Sequence, residues 1–227
     1  MLECKSLKKS YRKKCVVNDL SFQVGPGKVF ALLGSNGAGK NTTIKMILGL
    51  VKMDGGTVAL QEGIRVGYSP DTPYFPPFLT GRETLEYYAA IAKTKKSKRK
   101  EEVSALLALV GLQDDKTKVR SYSKGMLQRL AFAQALLGNP ELLILDEPTA
   151  GLDALGRIEI IQLIGALKES GKTIILNSHI LSDIEQICDY GIIMDKGIQL
   201  GTCERTADHH GKSLQDIFVE LVGGEKE

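Results

Sequence analysis

Several absences narrow this 227-residue sequence before any motif is read. There is no CxxC pair. Cys4, Cys15, Cys188 and Cys203 are scattered without metal-ligand spacing, and they read as free thiols in a reducing cytoplasm rather than as zinc ligands or a disulfide framework. No apolar run is long enough for a bilayer: the strongest, LLIL at 142–145, falls far short of the ~18 residues that a spanning helix needs. Met1 to Lys9 carries charges and no apolar core, so no signal peptide is expected. A soluble chain is expected, with any membrane association coming through a partner. An excess of one charge sign is missing as well: 30 basic against 27 acidic residues leave a net charge of +3, too small to draw nucleic acid by bulk electrostatics. Internal repeats and heptads are missing too.

What is present is an ordinary globular composition, 43% hydrophobic and 25% charged, long enough for one large domain or two small ones. Short aliphatic runs alternate with helix-like segments, which predicts an α/β fold with a mostly parallel sheet. Strands are expected at 16–24, 28–34, 56–60, 65–69, 142–146, 173–178 and 190–195. FALL, LLIL and TIIL are continuously apolar, as strands covered on both faces should be. The opening strands alternate more and are broken by GPGK (25–28), so they belong to a flanking antiparallel layer. Between about 80 and 138 the strand signal vanishes. Arg82 to Ala92, Glu101 to Gly111 and Lys124 to Gly138 read as helices of an insertion. DKG (195–197) reads as a hairpin turn, and Ser213 to Val222 as a short amphipathic helix. The basic run KTKKSKRK (93–100) reads as a solvated loop, with attraction to anionic lipid headgroups as its functional alternative.

The strongest local signal is GSNGAGKNT, which follows the strand KVFALLG and opens a helix near Lys40. Strand, glycine-rich turn and helix are the context that the pattern G-x-x-x-x-G-K-[ST] requires. Gly34, Gly37 and Gly39 allow a tight turn whose N–H groups face inward, and Lys40 adds a full charge at a helix N-terminus. Position 41 departs from the pattern. Ser or Thr would offer magnesium a hydroxyl; Asn41 offers an amide oxygen one bond further from the backbone. Thr42 cannot replace it, because the next helical residue points about 100° away.

LLILDEP (142–148) ends a buried strand in two acids. Asp146 suits magnesium and Glu147 suits polarising an attacking water, although two acids at a strand end also fit a solvated terminus. The order of further motifs separates these readings. With Tyr11, GSNGAGKNT, YSKGMLQR (122–129), LLILDEP, AGLD (150–153) and Ser178–His179, the chain resembles the ATP-binding subunit of an ABC transporter along nearly its whole length. The resemblance implies a P-loop NTPase core with an antiparallel β layer and a helical subdomain. The core would occupy about 1–78 and 139–205, and the helical subdomain about 79–138.

The same resemblance implies that Tyr11 stacks on adenine. Gly34, Ser35, Asn36, Gly37, Ala38, Gly39, Lys40, Asn41 and Thr42 would form Walker A, and Ser123 and Gly125 the signature, with Lys124 and Met126 in place of a Gly-Gln pattern. Asp146 would hold magnesium, Glu147 would activate water, and His179 would be the switch histidine. Asp71, in RVGYSPDTP, stands where the family places glutamine or sometimes glutamate, a side chain that reaches magnesium. Both unusual residues, Asn41 and Asp71, would then approach one ion and partly compensate each other. His209 and His210 match nothing in the family and read as surface residues.

The implied cofactors are ATP and Mg²⁺. The implied partners are an integral-membrane permease and a second ATPase subunit, identical or similar. The expected location is cytoplasmic, peripheral on the inner face of the cell membrane, without nucleic acid. The signature variant and the short C-terminal helix resemble bacterial exporter subunits. An alternative is a module that dimerises on ATP and hydrolyses it weakly because of Asn41.

Overall fold

A computed structural model describes residues 1–204 and 213–223, so His209 and His210 lie outside the described residues. The chain divides into two compact units, one of residues 1–63 and 167–227 and one of residues 64–166.

The first unit begins with β1 (Leu2–Tyr11) and β2 (Lys14–Val24), continues through β3 (Val29–Gly34) and α1 (Lys40–Ile47), and adds β4 (Gly55–Leu60). β1 lies between β2 and β4, antiparallel to both, which is the expected antiparallel layer. β1 itself was not among the expected strands, and the reason is local. Leu2, Cys4 and Leu7 are buried, but the pairing register shifts between Cys4 and Leu7, and Ser6 sits at φ 47°. A bulge of this kind breaks the period-two alternation that marks a strand in sequence.

The second unit opens with β5 (Val66–Ser69). It then runs through α2 (Gly81–Ile91), α3 (Lys96–Leu109) and α4 (Lys124–Leu136) before returning to β6 (Leu142–Asp146) and entering α5 (Ala154–Glu169). β5 and β6 are parallel, Val66 opposite Leu142 and Ser69 opposite Leu145. The three helices pack on one another through a core that includes Leu85, Ala89, Val103, Leu106, Leu107 and Leu130.

α2 starts with a full capping box. Thr80 Oγ1 accepts from the Glu83 N–H at 3.1 Å, while Glu83 Oε2 accepts from the Thr80 N–H at 2.7 Å. α3 starts inside the basic run that reads as a loop in sequence, so five of its eight residues are helical. Its N-cap is Lys95, with no side-chain cap bond and no acid in the first turn. The helix forms because Val103, Leu106 and Leu107 anchor its later turns, not because its start favours it.

The first unit resumes with β7 (Thr173–Asn177), α6 (Leu181–Ile187), β8 (Tyr190–Asp195), β9 (Ile198–Glu204) and α7 (Leu214–Gly223). β3 pairs in parallel with β7 and β8, and β9 closes this edge antiparallel to β8. All six residues of β3 and all five of β7 are buried, which accounts for their unbroken apolar runs. The DKG hairpin is present: Lys196 and Gly197 both have positive φ, 45° and 86°, as a type I′ turn requires. The four cysteines are free thiols, all but Cys15 buried. No helix among the described residues is long and apolar enough to cross a membrane.

Candidate nucleotide site

In the first unit, β3 stops at Gly34 and α1 starts at Lys40, leaving the intervening residues as a tight loop. Glycine is required at Gly39, which caps α1 at φ 102°: a Cβ there would lie 2.5 Å from the Val16 carbonyl oxygen. Gly39 offers no side chain, so α1 starts without a side-chain cap bond, and its first turn holds no acid. Lys40 is 6% exposed, and its ammonium donates to the carbonyls of Gly34 at 2.7 Å and Ser35 at 3.0 Å. The positive charge is thus held within the loop's own curve. Ala38 is buried, Asn36 and Gly37 face solvent, and Ser35 Oγ donates to Asp195 Oδ1 at 2.5 Å. Thr42 is half-buried, and the Thr43 hydroxyl donates back to the Gly39 carbonyl at 3.1 Å.

Asn41 meets a residue that the sequence reading does not single out. Its Oδ1 accepts from Asn177 Nδ2 at 3.0 Å. Asn177 is the last residue of β7, 1% exposed, and pairs with Leu32 of β3 in the parallel register. The available signal was a lone polar residue closing an otherwise apolar strand, just before Ser178–His179. Ser178 Oγ accepts from the Ile180 N–H at 3.1 Å, and His179 is exposed. Tyr11, at the end of β1, is 46% exposed, with Lys9 Nζ 5.3 Å from its ring centroid. An open aromatic face of this kind can stack on a flat base.

In the second unit, Asp146 ends β6 and is 3% exposed. Tyr68 of β5 is the neighbour that the sequence reading missed. Burial, the negative charge of Asp146, a hydrogen bond to that carboxylate and the charge of Asp71 push the Tyr68 phenol up to about 12. Asp146, Asp71 and Tyr68 therefore share one electrostatic neighbourhood. Glu147 has left-handed backbone geometry, φ 51°, which costs a non-glycine residue on the order of 1 kcal/mol or more. Two bonds to its carbonyl hold it there, from the Ala150 N–H at 3.0 Å and from Gln128 Nε2 at 3.3 Å.

Ser123 caps α4, its Oγ accepting from the Met126 N–H at 3.2 Å. The segment that follows packs against AGLD: a Cβ on Gly125 would sit 3.1 Å from Leu152 Cδ2, and one on Gly151 would meet the Lys124 side chain at 2.6 Å. The signature segment and this loop therefore form one joined surface.

Residues 17–150 match the family described as ABC transporter. The chain belongs to the ABC transporter family. It is 44% identical over 219 residues to an uncharacterised ABC transporter ATP-binding protein of Synechocystis, an alignment covering 92% of this chain and 61% of the relative. It is also 44% identical to the bacitracin transport ATP-binding protein BcrA of Enterococcus faecalis, over 87% of this chain and 67% of that protein. The chain thus spans about three fifths of the Synechocystis relative's length. A solved structure of an ATP-binding subunit of an ABC transporter superposes with a TM-score of 0.88 at 32% identity, covering 97% of this chain and 99% of that one. The fold is that of an ABC cassette, as the sequence motifs imply.

The family implies magnesium alongside ATP, and the donors present fit it. In the second unit Asp146 and Asp71 carry carboxylates, and in the first Asn41 carries an amide oxygen; each by itself is a hard donor. Among the described residues no three or more His, Cys, Asp or Glu side chains cluster as a metal cage. Magnesium is ordinarily held by one or two carboxylates with phosphate and water completing the shell, and Asp146 and Asp71 are two such groups.

Proposed function

We propose that this chain binds and hydrolyses ATP as the energy-coupling subunit of an ABC transporter, working as a dimer on a membrane permease. The observation that carries this reading is the loop between β3 and α1. There a buried lysine, a glycine cap and the N-terminus of a helix converge, as an anion with several oxygens requires.

In this reading Lys40 and the amides from Gly34 to Thr42 bind the phosphates, and Tyr11 stacks on adenine. Asp146, Asp71 and Asn41 would hold magnesium, which when bound would neutralise charge on the phosphates. Glu147 takes the proton of the attacking water, and His179 holds that water and the γ-phosphate in line. Ser123 and Gly125 serve the nucleotide of the second copy, identical or similar. Residues 79–138 act as a helical subdomain on a core of 1–78 and 139–205. The subunit sits peripherally on the inner face of the cell membrane and takes no nucleic acid.

The permease side of the proposal draws on the second unit. A cavity of about 420 Å³ there is lined by Tyr68, Phe75, Tyr88, Ile91, Gln134 and Leu137. On the segment leading into α2, Tyr74 and Phe78 are 84% and 70% exposed. Aromatic groups of that size left in solvent suit a partner surface.

Phosphate release by the purified chain, with and without magnesium, tests the enzymatic claim. Glu147→Gln should slow release by about 10²-fold or more while nucleotide binding persists, the loss expected for a general base. Magnesium-independent release, or an unchanged rate in Glu147→Gln, would overturn it.

A further inference from the structure

The basic run of residues 93–100 takes no part in the site described above. It holds six cations in eight residues: Lys93, Lys95, Lys96, Lys98, Arg99 and Lys100. All five lysines are exposed. Among the described residues none of them is paired with an acid, although Glu101 and Glu102 follow directly. Glu102 is turned to another task, its Oε1 accepting from the Gly138 N–H at 2.7 Å. Arg99 is turned inward as well, its Nε donating to the Thr94 carbonyl at 2.9 Å. The lysines alone remain as free point charges.

Their placement works against the helix that carries them. α3 begins at Lys96 with Lys95 as its cap and no acid in its first turn, so like charge stands at the positive end of the helix dipole. The same stretch rims a cavity of about 640 Å³, with Arg65, Lys93, Lys95 and Lys98 on its wall beside Glu101 and Glu102. Directly before the run, Tyr87 and Ile91 lie one turn apart on α2 and are 55% and 59% exposed. Ile91 and Ala92 also line the cavity assigned above to the permease, so the lysines continue that proposed interface.

We propose that this surface, Lys93 to Lys100 with Tyr87 and Ile91, docks the chain on anionic lipid headgroups beside the permease. Flexible, strongly hydrated lysines match mobile and diffuse negative charge. A geometrically fixed carboxylate or phosphate on a protein partner would instead favour the planar fork of arginine. A half-exposed tyrosine next to an aliphatic side chain is suited to the boundary between headgroups and acyl chains. The orientation of this face rests on the permease-bound reading, but the contact itself does not depend on ATP turnover.

Co-sedimentation of the purified full chain with vesicles tests it. Vesicles of phosphatidylcholine containing phosphatidylglycerol should bind the chain, pure phosphatidylcholine vesicles should not, and added salt should weaken binding steeply. Each lysine near such a surface is worth roughly fivefold in partition, so K95Q/K96Q/K98Q should lower it on the order of a hundredfold. The three side chains are exposed, so ATP hydrolysis should stay unchanged in that variant, and melting should hold or rise slightly as like charge leaves the start of α3. Equal partition to both vesicle types, no partition, or partition untouched by the triple substitution overturns the inference. So does binding that appears only with the permease, which would mark a protein-binding surface. If hydrolysis persists while vesicle binding fails, the lipid contact alone falls. If vesicles bind while hydrolysis is absent, it is the ATPase reading that falls.

Discussion

α1 and α2 begin in opposite ways. α2 satisfies its first amides with its own side chains, through the reciprocal pair of Thr80 and Glu83. α1 has Gly39 as its cap, no side-chain cap bond and no acid in its first turn, and it places Lys40 where charge accumulates at the positive end of the helix. By the rules that govern isolated helices the second arrangement is the poorer one. Under the proposed function the difference separates two uses of the same geometry: amides spent on the fold, and amides that would receive an anion. Changes at the start of α1 should therefore register in ligand binding, and changes at the start of α2 in stability.

The largest expected effect is at Lys40. A charged hydrogen bond to phosphate is worth about 1.5–3 kcal/mol, so Lys40→Ala should weaken ATP binding by roughly one to two orders of magnitude. Isothermal titration measures the loss directly. Because ligand binding raises melting temperature by mass action, ATP should also cease to stabilise the variant at concentrations that protect the parent chain. If Lys40→Ala still gains the full thermal shift from ATP, the contrast between the two helices is broken.

How far this contrast could be read from sequence depends on the residue. The loop was legible because its glycines and lysine fall at fixed offsets from an apolar strand, and β3, β6, β7 and β8 were legible because burial on both faces leaves continuous aliphatic runs. The capping box of α2 stands in the sequence as Thr80 and Glu83 at the right spacing. Asn177 was not legible as a partner of Asn41. Their contact depends on β7 lying beside β3 with Asn177 opposite Leu32, which is a fact of pairing across 145 residues rather than of local pattern. Tyr68 was hidden for the same reason, since its tie to Asp146 needs β5 and β6 in parallel register. β1 escaped because its bulge scrambles the alternation, and the start of α3 because lysines look like solvent-facing loop whatever the backbone does.

The Asn41–Asn177 bond sharpens the comparison within α1 itself. The oxygen of Asn41 has two lone-pair directions, and Asn177 occupies one while fixing the amide in place. If Asn41 holds magnesium as proposed, Asn177 is an outer residue that would orient and tune that ligand. Asn177→Ala and Asn41→Ala should each weaken the magnesium-dependent part of ATP binding by up to about tenfold, and the double variant should lose little more than either. Magnesium titrations of nucleotide binding in the four proteins give the coupling. Strict additivity would mean that the bond is structural only, and that Asn41 approaches the ion without help from β7.

The smallest effect is expected at α2, and it should fall on stability alone. Thr80→Ala removes the acceptor for the Glu83 N–H and leaves that carboxylate with half of its reciprocal pair, a loss of about 1 kcal/mol. In a chain of this size that corresponds to roughly 2–4 °C in melting temperature. Thr80→Ser keeps a hydroxyl at the cap and should recover most of the difference. ATP affinity should be unchanged in both, because these amides serve the helix and not a ligand. A melting temperature unmoved by Thr80→Ala would show that packing of Leu85 and Ala89 holds the helix start by itself. A change in ATP affinity would show that the start of α2, like that of α1, acts on the nucleotide.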